Sequence, residues 1–242
     1  LRNTRYKLDN QDLGEGQHLS RTTLVFSLDN VLFLEREFQL GNRDYVQTLE
    51  PRLFYLYVER QNQEDIPLFD SSTPTFTYRE LFEENRFNGA DRMGDASQIA
   101  LAVTTRLIDP NTGAQRARAS VGELFYLRDR TVTLDNGPPE QRSRSDIAGE
   151  LEVMLSRAWS GRADLVWDPI DQNSERANAR IHYNPGFRKI ANLSYRYLRQ
   201  EQDQIDASIL WPLVAVRIAS VSLLWSIASV SKQPRLPFKS SL

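Results

Sequence analysis

The chain has no cysteine and only two histidines, His18 and His182, in 242 residues. Without thiols it forms no internal disulfide and offers no thiolate metal site. Two imidazoles so far apart in sequence, with no ligand-type residues spaced around them, do not suggest a metal centre. The formal net charge is only −2, so no broad field recruits nucleic acid or an anionic membrane surface. No charged-then-apolar leader opens the chain, and LRNTRYKLDN has no initiating Met. The opening residues are expected to be part of a strand in a fragment of a longer protein.

What the chain does have is β pattern almost throughout. In 97–108, Ile99, Leu101, Val103 and Leu107 fall on one face, and Gln98, Ala100, Ala102, Thr104 and Arg106 on the other. Period two marks a strand between two different surroundings. The same alternation puts Ala117, Ala119, Val121, Phe125 and Leu127 on one side of 115–128. In 143–158, Ile147, Gly149, Leu151 and Val153 oppose Ala148, Glu150, Glu152 and Met154. In 175–184, Ala177, Ala179, Ile181 and Tyr183 oppose Arg176, Asn178, Arg180 and His182. Strands 187–199 and 204–212 follow suit. Further strands are expected over 1–9, over 43–58, over 162–168, and over 20–38 as one long element rich in β-branched and aromatic residues. Pro51 removes a ladder donor, so pairing is expected to break there.

About ten strands result, and their connections alternate in length. Gln39–Asn42, Asp109–Ala114, Trp159–Gly161 and Pro185–Gly186 are expected as the short turns. Between them lie a polar loop over 10–19 that includes His18, a loop of more than thirty residues over 59–96, and a loop over 129–142 broken by Gly137-Pro138-Pro139. An up-and-down meander of this kind is the pattern of outer-membrane barrels.

A soluble sandwich buries its apolar faces, whereas a membrane barrel turns them to lipid around a wet interior. The expected strands exceed the usual five or six residues and fit a tilted span of roughly 9–11 with extension. Tyr55, Tyr57, Trp159, Trp167, Tyr195, Tyr197 and Trp211 sit near strand ends, where interfacial girdles form. The polar faces mix arginines with carboxylates. The fold expected is therefore all-β: an antiparallel up-and-down transmembrane β-barrel segment with an atypical apolar C-terminal tail.

The segments QTLEPRLFYLYV, IPLFDSS, LFEENRFNGADRMGDASQIALAVTTRLID and RASVGELFYLRDR closely resemble the C-terminal barrel of the LptD family, which assembles lipopolysaccharide in the Gram-negative outer membrane. Asn85 to Gln98 is the most specific part, since generic barrel strands do not share an ordered loop sequence. The resemblance implies a large barrel plugged by an LptE-like lipoprotein. It also implies a periplasmic jelly-roll domain that meets an LptA-like bridge, and a lateral gate through which lipopolysaccharide leaves without covalent chemistry. On that basis the short turns face the periplasm and the loop 59–96 faces outward. This sequence departs from the family in lacking the jelly-roll, the disulfide-forming cysteines and the full strand number. Residues 1–212 are expected to be a partial barrel and 213–242 a divergent tail. There Leu213 to Val230 is apolar or small with one charge, Arg217; a distorted strand pair, a hydrophobic helix barely long enough to span and a tail produced by a reading-frame change compete, and the last is the expected origin. An open sheet would leave unpaired edges in lipid, so the segment is expected to be inactive alone. The alternatives are a passive outer-membrane pore, a surface-binding barrel, or a non-functional truncated fragment.

No catalytic set, resident metal or cofactor is expected. Glu150 and Glu152 share a face, but carboxylates on a polar strand face are ordinarily hydrated. Asp164, Asp168, Asp171 and Glu175 gather near one loop with spacing that matches no calcium loop. The candidates for contact with lipopolysaccharide phosphates, or with the plug protein, are Arg106, Arg116, Arg118, Arg176, Arg180, Arg188 and Arg196, because guanidinium groups bind phosphate bidentately. The competing account pairs them with Asp146, Glu150 and Glu152 across strands.

Overall fold

The computed structural model describes residues 1–9, 16–134 and 137–212; the apolar tail 213–242 lies outside them. Twelve strands run in chain order: β1 (Arg2–Asp9), β2 (Gly16–Thr23), β3 (Val25–Val31), β4 (Leu34–Leu40), β5 (Arg43–Val58), β6 (Ala96–Ile108), β7 (Gln115–Tyr126), β8 (Ile147–Met154), β9 (Trp159–Asp168), β10 (Asn173–Gly186), β11 (Lys189–Leu198) and β12 (Gln202–Leu210). β1 and β2 form a two-stranded antiparallel sheet. The other ten form one sheet in the order β12-β11-β10-β9-β8-β7-β6-β5-β3, with β4 also on β5. The meander expected from the alternation is present, each strand of β5 to β12 pairing with its sequence neighbour.

Several boundaries differ from expectation, each for a local reason. The expected strand 20–38 is three strands. At Leu24 the chain changes partner, from β1 on one side to β5 on the other. The second break lies opposite Pro51: β3 pairs with β5 as far as Val31 with Arg52, and Leu32 then donates to the Pro51 carbonyl at 3.0 Å. Proline accepts but cannot donate, so the ladder lapses before β4 resumes. Asp29-Asn30, turn-type residues by themselves, lie inside β3. His18 falls in β2 opposite Lys7, not in a loop. The turn expected at Trp159–Gly161 comes earlier, where the Ser156 hydroxyl accepts the amides of Ala158 and Trp159. β10 continues through Pro185-Gly186 with a register shift, and the chain reverses at Phe187-Arg188 with Arg188 at φ 56°.

Contacts divide the chain into two compact units. The first holds Leu1–Leu34, Glu50–Val103 and Val121–Ile147; the second holds Glu35–Leu49, Thr104–Ser120 and the chain from Ala148 on. The core of the first is built from the even-numbered side chains of β5 to β7 and the long loop. It comprises Phe54, Leu56, Val58, Ala100, Ala102 and Leu124 from the strands and Ile66, Tyr78, Leu81, Phe87 and Met93 from the loop, all buried. The odd-numbered positions of the same strands are half-buried or exposed, with Leu53, Leu101 (46%) and Val121 exposed. In the second unit Leu165, Ile181, Leu193 (50%), Ile205 and Ile209 are exposed. Register ties four of these strands into rows. Gly161, Ile181, Leu193 and Ala207 share one face, while Arg162, Arg180, Ser194 and Asp206 share the other. The apolar face of the alternation is thus the open one. That is the reverse of a sandwich, in which such residues supply the core.

Candidate functional site

Two places gather polar side chains: the docked loop of the first unit and the arginine rows of the second. In the loop, nearly every residue of NRFNGADRMGD has a defined role. The Asn85 side chain accepts from the Gly94 amide and donates to the Arg92 carbonyl, both at 2.9 Å. Asp91 accepts from the amides of Phe69 and Asp70 at 2.6 and 2.8 Å. Gly89 sits at φ 80°, where a Cβ would stand 2.6 Å from the Asp70 carbonyl oxygen; only glycine accepts both conditions. Gln63 is the hub. It takes hydrogen bonds from Arg21 of β2 and from the Met93 amide, returns one to the Met93 carbonyl at 2.8 Å, and its own carbonyl accepts from Arg92. Arg21 also donates to the carbonyls of Ala90 and Asp91 at 2.9 and 2.7 Å. This network joins the β1–β2 hairpin to the loop.

Asp95 closes the loop onto the next one. Its carboxylate accepts from the amides of Thr131 and Val132 and from the Thr131 hydroxyl, at 2.8 to 3.0 Å, with Arg86 3.6 Å away. Burial by itself pushes this carboxyl up. The two amides, the hydroxyl and the Arg86 charge outweigh that and hold it below the usual carboxylate range. The 3-10 turn Arg79–Phe82 delivers Leu81 and Phe82 to the sheet. Phe82 packs edge-on to Phe54 and Tyr78, and the Arg52 guanidinium lies 3.6 Å from its ring centre while gripping Asp29 bidentately at 2.6 and 2.9 Å. The most specific sequence motif is therefore a docking device.

In the second unit, internal pairing accounts for much of the arginine chemistry, with partners other than those expected. Arg116 pairs with Asp109 at 2.8 Å, across the turn that Gly113 makes at φ 69°. Arg176 pairs with Asp164 at 3.5 Å, Arg196 with Asp206 at 2.6 Å, and Arg199 with Glu175. Glu152 pairs with Arg162, and in the first unit Asp146 pairs with Arg142. Arg106 is half-buried, and its amide donates to the Thr48 hydroxyl at 3.1 Å. Arg118 keeps a buried Nε with no hydrogen-bond partner among the described residues. Arg188 is a correction: it sits in the β10–β11 turn against the Phe187 ring, off the polar rows. The four carboxylates near 164–175 are used separately, Asp168 accepting the Ile170 amide at 2.8 Å. They form no common site.

One pocket of about 290 Å³ opens on the polar face of this unit, lined by Arg116, Glu152, Arg162, Arg180 and His182 among others. Arg162 was not among the arginine candidates, and His182 was expected only as a residue of the polar face of 175–184. The signal that finds them is cross-strand register, which pairs Arg162 with Arg180 and Ser160 with His182. At the turn end of the same strands, Trp159, Tyr183 and Trp211 form an aromatic cluster with centroids 4.3 and 6.5 Å apart, and Lys189 lies over Trp211.

Comparison with known proteins fits this arrangement. The model of the family LptD, described as LPS transport system D, matches residues 1–229 and so runs past Pro212 into the apolar segment. An LPS-assembly protein LptD from Nitrosococcus oceani is 40% identical over 213 residues, covering 88% of this chain and 29% of the relative. That from Aromatoleum aromaticum is 38% identical over 213 residues, covering 88% and 27%. That from an Azoarcus species is 43% identical over 199 residues, covering 81% and 24%. The chain thus spans less than a third of the length of these relatives. An all-β meander with apolar residues on its open face, an intact docking motif and a family match over nearly its whole length lead to one conclusion: the chain belongs to the LptD family.

Proposed function

We propose that this chain is a membrane-spanning β segment of an outer-membrane machine that assembles lipopolysaccharide at the cell surface, without covalent chemistry. The observation that carries the reading is the inverted burial. Large apolar side chains stand open on one face of strand after strand, while arginines, carboxylates and amides line the other. In water, faces of that size invite association; against lipid they are at equilibrium. The aromatic cluster around Trp211 with Lys189 suits the headgroup level of such a membrane.

The relatives are named for LPS assembly, which supports lipopolysaccharide as cargo. The polar face is read as lining a wet interior, with Arg106, Arg116, Arg118, Arg176, Arg180 and Arg196 as the candidates for contact with cargo or with an LptE-like plug lipoprotein, in exchange for internal pairs where they have them. Supply by an LptA-like periplasmic bridge belongs to the same reading.

The cysteine-free chain makes a direct test simple. Single cysteines at Leu101 and Leu193, and at Arg180 and Ser194, carry an environment-sensitive fluorophore in proteoliposomes. The first pair is expected to be quenched by spin-labelled lipid and the second by aqueous iodide. Iodide quenching of all four would end the membrane reading.

A further inference from the structure

We propose that the pocket formed by Arg116, Arg162, Arg180 and His182 is a binding site for a phosphate ester carried on a saccharide. The inference deepens the function above and rests on that reading only for the biological source of the ligand.

The first ground is register. Arg162 of β9 and Arg180 of β10 are direct cross-strand partners in an antiparallel pair. Directly opposed side chains have Cβ atoms roughly 4.5–5.5 Å apart, and like charges so placed repel. The next residue in Arg180's row is Ser194, and Arg180 has no carboxylate partner among the described residues. Glu152, bridged to Arg162, is the one carboxylate lining the pocket, against three guanidinium groups. Arg116 is already shared with Asp109. The lining therefore retains positive charge and a repulsive pair that a divalent anion relieves.

The second ground is the tautomer of His182. The Asn192 amide nitrogen donates to the Ser208 hydroxyl at 3.0 Å, which leaves the Asn192 oxygen facing the imidazole. His182 Nδ1 lies 2.5 Å from that oxygen and must be the donor. Nε2 is then the free nitrogen of a ring that lines the pocket. It accepts from a sugar hydroxyl when neutral and donates to a phosphate oxygen when protonated.

Size is the third ground. About 290 Å³ with an open mouth admits a phosphate with one sugar ring, near the lower end of ordinary ligand pockets. Guanidinium forks from opposed strands suit two oxygens of a tetrahedral anion.

The test titrates the full chain in detergent micelles with glucose 1-phosphate, inorganic phosphate and glucose. Tighter binding of the ester than of inorganic phosphate, and none of glucose, is expected. Arg162→Gln and Arg180→Gln should each weaken the ester about tenfold, the loss of one charge-assisted contact, while Arg188→Gln in the nearby turn should leave it unchanged. Circular dichroism and heat-modifiable mobility confirm that each variant is folded. No ester binding by the parent chain, unchanged binding in both pocket variants, equal loss in Arg188→Gln, or a preference for inorganic phosphate overturns the proposal. Delivery of lipopolysaccharide to the outer leaflet, measured with this chain in place of the matching segment of a full-length relative, is a separate readout. Absence of delivery alongside intact ester binding would refute the transport reading and leave the site standing; delivery without ester binding would do the reverse.

Discussion

Gly122 offers the sharpest test of how the long loop is held. It lies on the buried face of β7, where the 3-10 turn meets the sheet. A Cβ there would stand 2.7 Å from Leu81 Cδ1, 2.8 Å from Ala102 Cβ and 2.9 Å from the Leu101 carbonyl oxygen. Real Cβ contacts are not that close, and two of the three neighbours are backbone or Cβ atoms that cannot rotate away. Leu81 is fully buried, so the strain in Gly122→Ala is relieved only by lifting the turn. Overpacking of this kind costs about 1–3 kcal/mol. At roughly tenfold per 1.4 kcal/mol, the undocked population rises about 5- to 150-fold. Arg79, at the start of the turn, has an exposed side chain. Limited trypsin digestion at that bond reads the open population while opening and closing outpace cleavage. Leu81→Ala alone costs about 2–5 kcal/mol through its cavity, but that cavity also receives the methyl group that Gly122→Ala introduces. The double variant should therefore be less destabilised than the sum of the singles, the coupling expected of residues in contact. Parental digestion in Gly122→Ala, or strictly additive losses, would refute the reasoning.

Three further outcomes follow from the same geometry. Asp95→Asn removes the charge that holds the amides of Thr131 and Val132, so docking should weaken by about 3 kcal/mol, seen as faster hydrogen exchange at those amides. Because the folded carboxyl sits below its unfolded value of about 3.9, its contribution is complete above that pH and is lost as pH falls through the lowered folded value. Acid should thus lower the protection of those amides, relative to their intrinsic exchange rates, in the parent chain and not in Asp95→Asn. Gln63→Ala breaks the hub between β2 and the loop, and trypsin should then reach Arg92, buried in the parent. Leu193→Arg on the open face should cost about 2–4 kcal/mol of stability in liposomes if that face meets lipid mid-bilayer, whereas Arg180→Leu on the opposite face should cost far less.

Much of this was legible in the sequence because strand alternation is a local property. The two faces of 97–108, 115–126 and 176–183 fall as the period-two pattern assigns them. Pro51 breaks its ladder because a missing donor is missing in any fold. Turn positions were less legible: the chain turns at Ser156 through a side-chain acceptor, and β10 outruns Pro185-Gly186. The division of 20–38 into three strands depends on where β1 stops being the partner and β5 begins, and nothing within that stretch encodes this.

The sequence alone settles the strand faces, their apolar and polar character, and the identity of the loop motif. Each follows from residue chemistry repeated at a fixed period or from an ordered run of residues. Tertiary structure decides what meets what. Gln63 and Arg21 are 42 residues apart, Gly122 matters only because Leu81 arrives from a loop, and Arg162 faces Arg180 only because the intervening connection and bulge set the register. Those are long-range distances, and a strand pattern carries no information about which partner, at what offset, will stand across from it.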